Sequence, residues 1–170
     1  MRFTLLPDYY FETFDKVDAE FLTSIGVKAI LLDVDNTLEP YENPLPTEKV
    51  LLWFEDLKAA GIKAAIVSNN GKERIELFNK DLGLVAFYKA KKPFKKRLKM
   101  AMERLDVLPE ETIFMGDQIF TDVLAARNAK IRAILVPPIK DKTDVFTKFK
   151  RLLEKSIMRK YRKKHKGEEK

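Results

Sequence analysis

The residues able to do chemistry fall in four short groups. Asp33-Val34-Asp35-Asn36-Thr37 sets two carboxylates at i and i+2, where the apolar run 29–34 gives way to polar residues. A buried apolar run has no structural use for two aspartates, because a charge without a partner there is costly. Gly116-Asp117 ends a second such run, with Asp122 five residues on; Ser68-Asn69-Asn70-Gly71 ends a third; Lys91-Lys92-Pro93 follows a weaker fourth. Carboxylates that meet at one place repel unless a cation joins them, and an all-oxygen set suits Mg²⁺. A serine hydroxyl and backbone N–H groups at a helix start hold phosphate oxygens. A lysine neutralises phosphate charge. One ionised aspartate can attack phosphorus, while a second protonates the leaving oxygen and then activates water. The set reads as phosphoryl transfer with a carboxylate nucleophile. Cysteine is absent and the one histidine, His165, lies in a charged stretch near the end of the sequence. Thiol nucleophiles, Ser-His-Asp triads and Cys/His zinc sites are thereby excluded.

These groups need a scaffold that brings them together. The runs 29–34, 63–68, 112–116 and 132–137 are short and continuously apolar, with a weaker one at 86–89. Continuous rather than alternating runs belong to parallel strands covered on both faces. Between them, 47–60, 72–82, 93–105 and 121–129 carry apolar residues at helical spacing, with Gly61 and Gly83 as stops and Pro93 as a first-turn residue. Strand and helix alternate in the order of an α/β fold with a doubly wound parallel sheet, in which ligands bind at the carboxyl ends of the strands. One domain spans residues 1–139. A final helix and basic tail take up 140–170, with Val145, Phe149 and Leu152 or Leu153 as the apolar stripe. The aromatic N-terminal segment from Phe3 to Phe14 reads as core packing, with an interfacial anchor as the alternative.

Asp33-Val34-Asp35-Asn36-Thr37-Leu38, Ser68-Asn69-Asn70, Lys92-Pro93 and Gly116-Asp117-Gln118-Ile119-Phe120-Thr121-Asp122 resemble, in order, the four motifs of the haloacid dehalogenase (HAD) superfamily of phosphatases. Leu5-Leu6-Pro7-Asp8-Tyr9 and the stretch through Glu39-Pro40-Tyr41 narrow the resemblance to the YqeG branch of subclass IIIA, which includes phosphatidylglycerophosphate phosphatases. The resemblance implies a three-layer Rossmann-like fold and a Mg²⁺ cofactor. It makes Asp33 the nucleophile and a metal ligand, and Asp35 the acid/base with its backbone carbonyl on the metal. Ser68 and Asn69 would bind the phosphoryl group and Lys92 would stabilise the phosphorylated aspartate. Asp117 would be a metal ligand, with Thr37 and Asp122 in support. Lys91 is a rival to Lys92, since both precede Pro93; the family motif favours the lysine directly before proline.

The gaps from Thr37 to Ser68 and from Ser68 to Lys92 each hold about one helix, too little for a cap domain, so the site should be open. An open site needs part of its enclosure from substrate, partner or membrane. This favours a phosphate on something large, with phosphatidylglycerophosphate the leading substrate by resemblance. A broad small-molecule or nucleic-acid-end phosphatase, or a non-catalytic RNA- or ribosome-binding adaptor, stands as the alternative.

The net charge is +7, from 33 basic and 26 acidic residues. Residues 155–170 hold eight basic and two acidic side chains, so the body is nearly neutral and the basic character belongs to the tail. Seven further basic residues and no acid lie between Lys89 and Lys99. This cluster and the tail are either solvated faces or a contact with anionic membrane lipid. No run approaches a membrane span or a signal-peptide core, so a cytoplasmic location is expected, with any membrane contact peripheral. Arg127 is a further cation for which substrate contact is an alternative to a structural role.

Overall fold

A computed structural model of the chain describes residues 5–140 and 145–165. The apolar runs become four neighbouring parallel strands: β2 (Ala29–Leu32), β3 (Lys63–Val67), β5 (Thr112–Gly116) and β6 (Arg132–Leu135). Two short strands, β1 (Tyr9–Tyr10) and β4 (Val85–Phe87), close the edges. The order is β1-β6-β5-β2-β3-β4, every pair parallel. Along each central strand alternate side chains enter two separate cores, which is why the runs are continuous. Ile30, Leu32, Ile66, Ile113 and Met115 face a core shared with α1 (Ala19–Ser24), α2 (Glu48–Ala59) and α3 (Lys72–Asn79). Leu31, Val67, Phe114 and Leu135 face the other, under α4 (Lys96–Leu105), the alanine-rich α5 (Leu124–Ala129) and α6 (Val145–His165). The result is a three-layer α/β fold with no cap domain between β2 and β3 or between β3 and β4.

From β2 the chain winds outward through β3 to β4, then crosses back to β5 and winds the other way to β6. The sheet therefore reverses between β2 and β5, the switch point where a crevice opens at the strand ends. Register pairs Leu32 with Met115, and the Asp33 N–H donates to the Met115 carbonyl at 3.0 Å. Asp33 and Asp117 thus leave adjacent strands side by side.

Several expected boundaries shift. The fourth helix begins at Lys96 rather than Pro93, because Lys91–Phe94 forms a turn in which the Phe94 N–H donates to the Lys91 carbonyl. A π-helical turn, Ile119–Val123, precedes α5. The aromatic N-terminal segment packs inward. Tyr9 and Phe11 meet Phe21 edge-on, and Phe14 meets Trp53, whose Nε1 donates to the Val17 carbonyl. Phe3 lies outside the described residues.

The predicted stripe of the last helix is out of phase. Leu152 and Leu153 are exposed, while Glu154 is buried and Ile157 and Met158 pack on the core. The side chains of Val145 and Phe149, and the tail beyond His165, lie outside the described residues. Among the described residues no helix is long and apolar enough to cross a membrane.

Candidate active site

Asp33 is the first residue after β2. Its Oδ1 accepts the Val34 N–H at 2.9 Å, and its Oδ2 stands 2.9 Å from the Lys92 Nζ. The same ammonium is 2.8 Å from Asp122 Oδ1. Lys92 lies almost wholly out of solvent, with its Nζ 5.2 Å from the centre of the Phe114 ring. Lys91 is exposed, so the structure brings Lys92 and not its neighbour to the carboxylates. Asn69 fixes that choice. Its Oδ1 accepts the Lys92 N–H at 2.7 Å and its Nδ2 donates to the Lys92 carbonyl at 3.2 Å. The side chain expected to meet phosphate thus also clasps the backbone of the lysine.

Asp117 follows β5 and accepts the Thr37 hydroxyl at 3.2 Å. Asp122 sits in the π-helical turn, where its Oδ2 accepts the Gln118 N–H at 3.0 Å. It fits only because residue 116 is glycine: a Cβ there would come within 2.4 Å of the Asp122 Cγ. Ser68, buried at the end of β3, accepts the Asn70 N–H on its Oγ at 3.2 Å.

Asp33, Asp117 and Asp122 are all buried, and each offers an oxygen within 4.8 Å of the other two. Burial raises the pKa of Asp117 well above the ordinary value, and the carboxylates of Asp122 and Asp33 raise it further. Burial also raises that of Asp122, against the opposing pull of Lys92. For Lys92 burial favours the neutral amine, but Asp122 and Asp33 outweigh it and hold the ammonium. With all three carboxylates ionised, one ammonium would leave two negative charges uncompensated, which is why the cluster without a cation holds on to protons. An all-oxygen donor set with that deficit fits a hard divalent cation.

Asp35 stands apart from this cluster, at the half-buried rim. Its Oδ2 accepts the Asn70 Nδ2 at 2.7 Å, and its Oδ1 lies 3.1 Å from Arg74 Nε and 3.0 Å from Arg74 Nη2. Arg74 also donates to the Pro44 carbonyl at 2.9 Å. The sequence reading missed Arg74. A faint signal exists, since Arg74 sits at the start of α3, just after the polar Ser68-Asn69-Asn70-Gly71 group. Arg127, by contrast, pairs with Asp8 at 2.9 Å and donates to the Leu6 carbonyl, tying down the N-terminal segment.

Residues 12–136 match the family described as haloacid dehalogenase-like hydrolase. The chain is 37% identical to the probable phosphatase YqeG of Bacillus subtilis (strain 168) over 153 residues, which cover 90% of this chain and 89% of that protein. CbbY from Rhodobacter sphaeroides in complex with phosphate has a similar fold, with a TM-score of 0.56 at 16% identity over 71% of this chain and 90% of the other. An uncharacterized protein from Listeria monocytogenes serotype 4b gives a TM-score of 0.54 at 18% identity over 69% and 85%. At these identities the two structures speak for the fold alone, and it is the family match along most of the sequence that decides membership. The chain belongs to the haloacid dehalogenase-like hydrolases.

Proposed function

We propose that the chain is a Mg²⁺-dependent phosphatase that hydrolyses phosphomonoesters through an aspartyl-phosphate on Asp33. The observation that carries this reading is the buried meeting of Asp33, Asp117 and Asp122 with Lys92 at the switch point of the sheet. Mg²⁺ would be held by Asp33, Asp117 and the Asp35 backbone carbonyl, and would offset the repulsion between carboxylates and phosphate. An Asp33 oxygen attacks phosphorus as the bond to the leaving oxygen breaks. Lys92 holds the Asp33 carboxylate in place, then faces the charge of the phosphorylated aspartate. Ser68 and the backbone N–H groups of its loop take the phosphoryl oxygens. Asp35 delivers a proton to the leaving oxygen and later removes one from the attacking water. Thr37 holds Asp117, Asp122 holds Lys92, and Asn69 acts through the Lys92 backbone.

For the substrate we propose phosphatidylglycerophosphate, met at an anionic membrane surface. The resemblance of the motifs supports this, as does a site with no cap domain. Lys89, Lys91, Lys95, Lys96 and Lys99 are exposed, and Phe94 among them is 70% exposed. Basic residues near an anionic surface contribute about 1 kcal/mol each, and an exposed aromatic ring suits the interface. The test is a Mg²⁺-supplemented screen that sets phosphatidylglycerophosphate in vesicles beside sugar phosphates, nucleotides and 3′-phosphorylated oligonucleotides. Preference for the vesicle substrate, lost with EDTA, is expected. Turnover of none of them would overturn the phosphatase reading; preference for a soluble ester would overturn only the choice of substrate.

A further inference from the structure

A slot of about 320 Å³ lies between α6 and the end of β6, and Asp117 forms part of its wall. Its other walls are of two kinds. Tyr10, Leu135, Pro138 and Met158 are apolar; Lys155 and Arg162 are cationic. Glu154 also borders it, but the Glu154 carboxylate is buried and accepts the Ile119 N–H at 3.3 Å, directing its charge at the start of the π-helical turn. Lys155 and Arg162 are exposed, and among the described residues neither forms an ion pair. Helical spacing explains the stripe, since Glu154, Met158 and Arg162 recur every fourth residue and Lys155 lies three before Met158.

We infer that this slot receives the leaving group of the substrate, and that α6 selects among substrates through Met158, Lys155 and Arg162, favouring an apolar leaving group that carries a second negative charge. The inference rests on the phosphatase reading and adds residues that none of the four motifs contains. The leaving group of a phosphomonoester must lie beyond the phosphoryl group, on the solvent side of the carboxylates. A slot that borders Asp117 and opens outward is a place for it. The size is that of a small ligand pocket. Apolar walls gain from burying hydrocarbon. Two exposed cations at the mouth, without an ion pair among the described residues, complement an anion. A chain with no cap domain thereby gains a selective wall from its last helix.

The experiment compares phenyl phosphate, 1-naphthyl phosphate and 4-carboxyphenyl phosphate with Mg²⁺, using the full chain. Wild type should prefer the naphthyl and carboxyphenyl esters. Arg162→Glu should raise KM for 4-carboxyphenyl phosphate about fivefold more than for phenyl phosphate, the effect of one half-exposed ion pair, with kcat for the two esters changing in parallel. Lys155→Glu added to it should widen that gap, and Arg162→Lys should largely restore it. Met158→Ser should erode the naphthyl preference and leave the carboxylate preference in place. The inference is overturned if the charge-reversed variants treat phenyl and carboxyphenyl esters alike. Failure of wild type to hydrolyse any of the three esters while it turns over phosphatidylglycerophosphate would also overturn the inference; failure on all four would instead bring down the phosphatase reading beneath it.

Discussion

Asp33 and Asp35 are two residues apart and live in different media. Asp33 is buried against an ammonium and near two more carboxylates. Asp35 lies at the rim, between an amide and a guanidinium. A chain leaving a strand points successive odd residues to the same side only while it stays extended. Here it turns at once: the Thr37 and Leu38 N–H groups both donate to the Val34 carbonyl, and Asn36 takes a φ of 62°. The turn sends one carboxylate into the cluster and the other to the rim, against Asn70 and Arg74. Two like residues thus acquire different surroundings, which suits the two roles proposed for them. The sharpest way to break the comparison is Asp33→Asn. It keeps shape and burial but removes the nucleophile, and should lower kcat on p-nitrophenyl phosphate by at least about 10⁴-fold. Activity above a tenth of wild type would remove Asp33 from that role.

The next largest effect belongs to Lys92, which serves the buried side alone. Lys92→Met leaves three neighbouring carboxylates without their ammonium. Removing one partner of a buried ion pair costs about 3 kcal/mol or more, so chemical denaturation at pH 7 in EDTA should show a loss of that size together with loss of turnover. Wild-type stability would mean that the cluster does not depend on the lysine. At the rim the effect should be smaller and should depend on the substrate. Asp35→Asn is expected to cost about 10²–10³-fold on alkyl phosphates, whose leaving oxygen needs a proton, and much less on p-nitrophenyl phosphate. Equal losses on both esters would deny Asp35 the acid's part.

The same contrast marks what the sequence could reveal. Strands β2, β3, β5 and β6 were legible because burial on both faces forces unbroken apolar runs, and the four polar groups were legible because such runs give charges no other reason to be there. Strand β1 was not. It is two residues long, and its pairing depends on partners more than 120 residues away, such as the Ala133 N–H that donates to Asp8 Oδ2. Lys92 was favoured over Lys91 only through the resemblance, because the clasp from Asn69 that seats it is a tertiary contact that neither lysine announces. The phase of α6 was misread because a buried glutamate inverts the apolar pattern: Glu154 faces inward and Leu152 and Leu153 face water. Little in the sequence marks Arg74 among the charged residues of α3; its contact with Asp35 exists only in the folded chain.

The smallest expected effect separates the two regions by pH. In the folded chain the pKa of Asp117 stands well above its ordinary value of 3.8. The native state therefore holds a proton that the unfolded chain gives up. Stability from this group is fully present below pH 3.8 and declines as pH rises from there through the folded-state pKa. Mg²⁺ binds the ionised form, so binding should strengthen over the same interval. The thermal shift produced by millimolar Mg²⁺ should be greater at pH 8 than at pH 5. Asp117→Asn should remove the buried charge, raise the melting temperature in EDTA by an amount equivalent to about 1 kcal/mol, and abolish the Mg²⁺ shift. Asp35→Asn, which leaves the three buried carboxylates in place, should keep most of that shift. A Mg²⁺ response independent of pH, or one that survives Asp117→Asn, would place the cation outside the buried cluster and dissolve the distinction between the two aspartates.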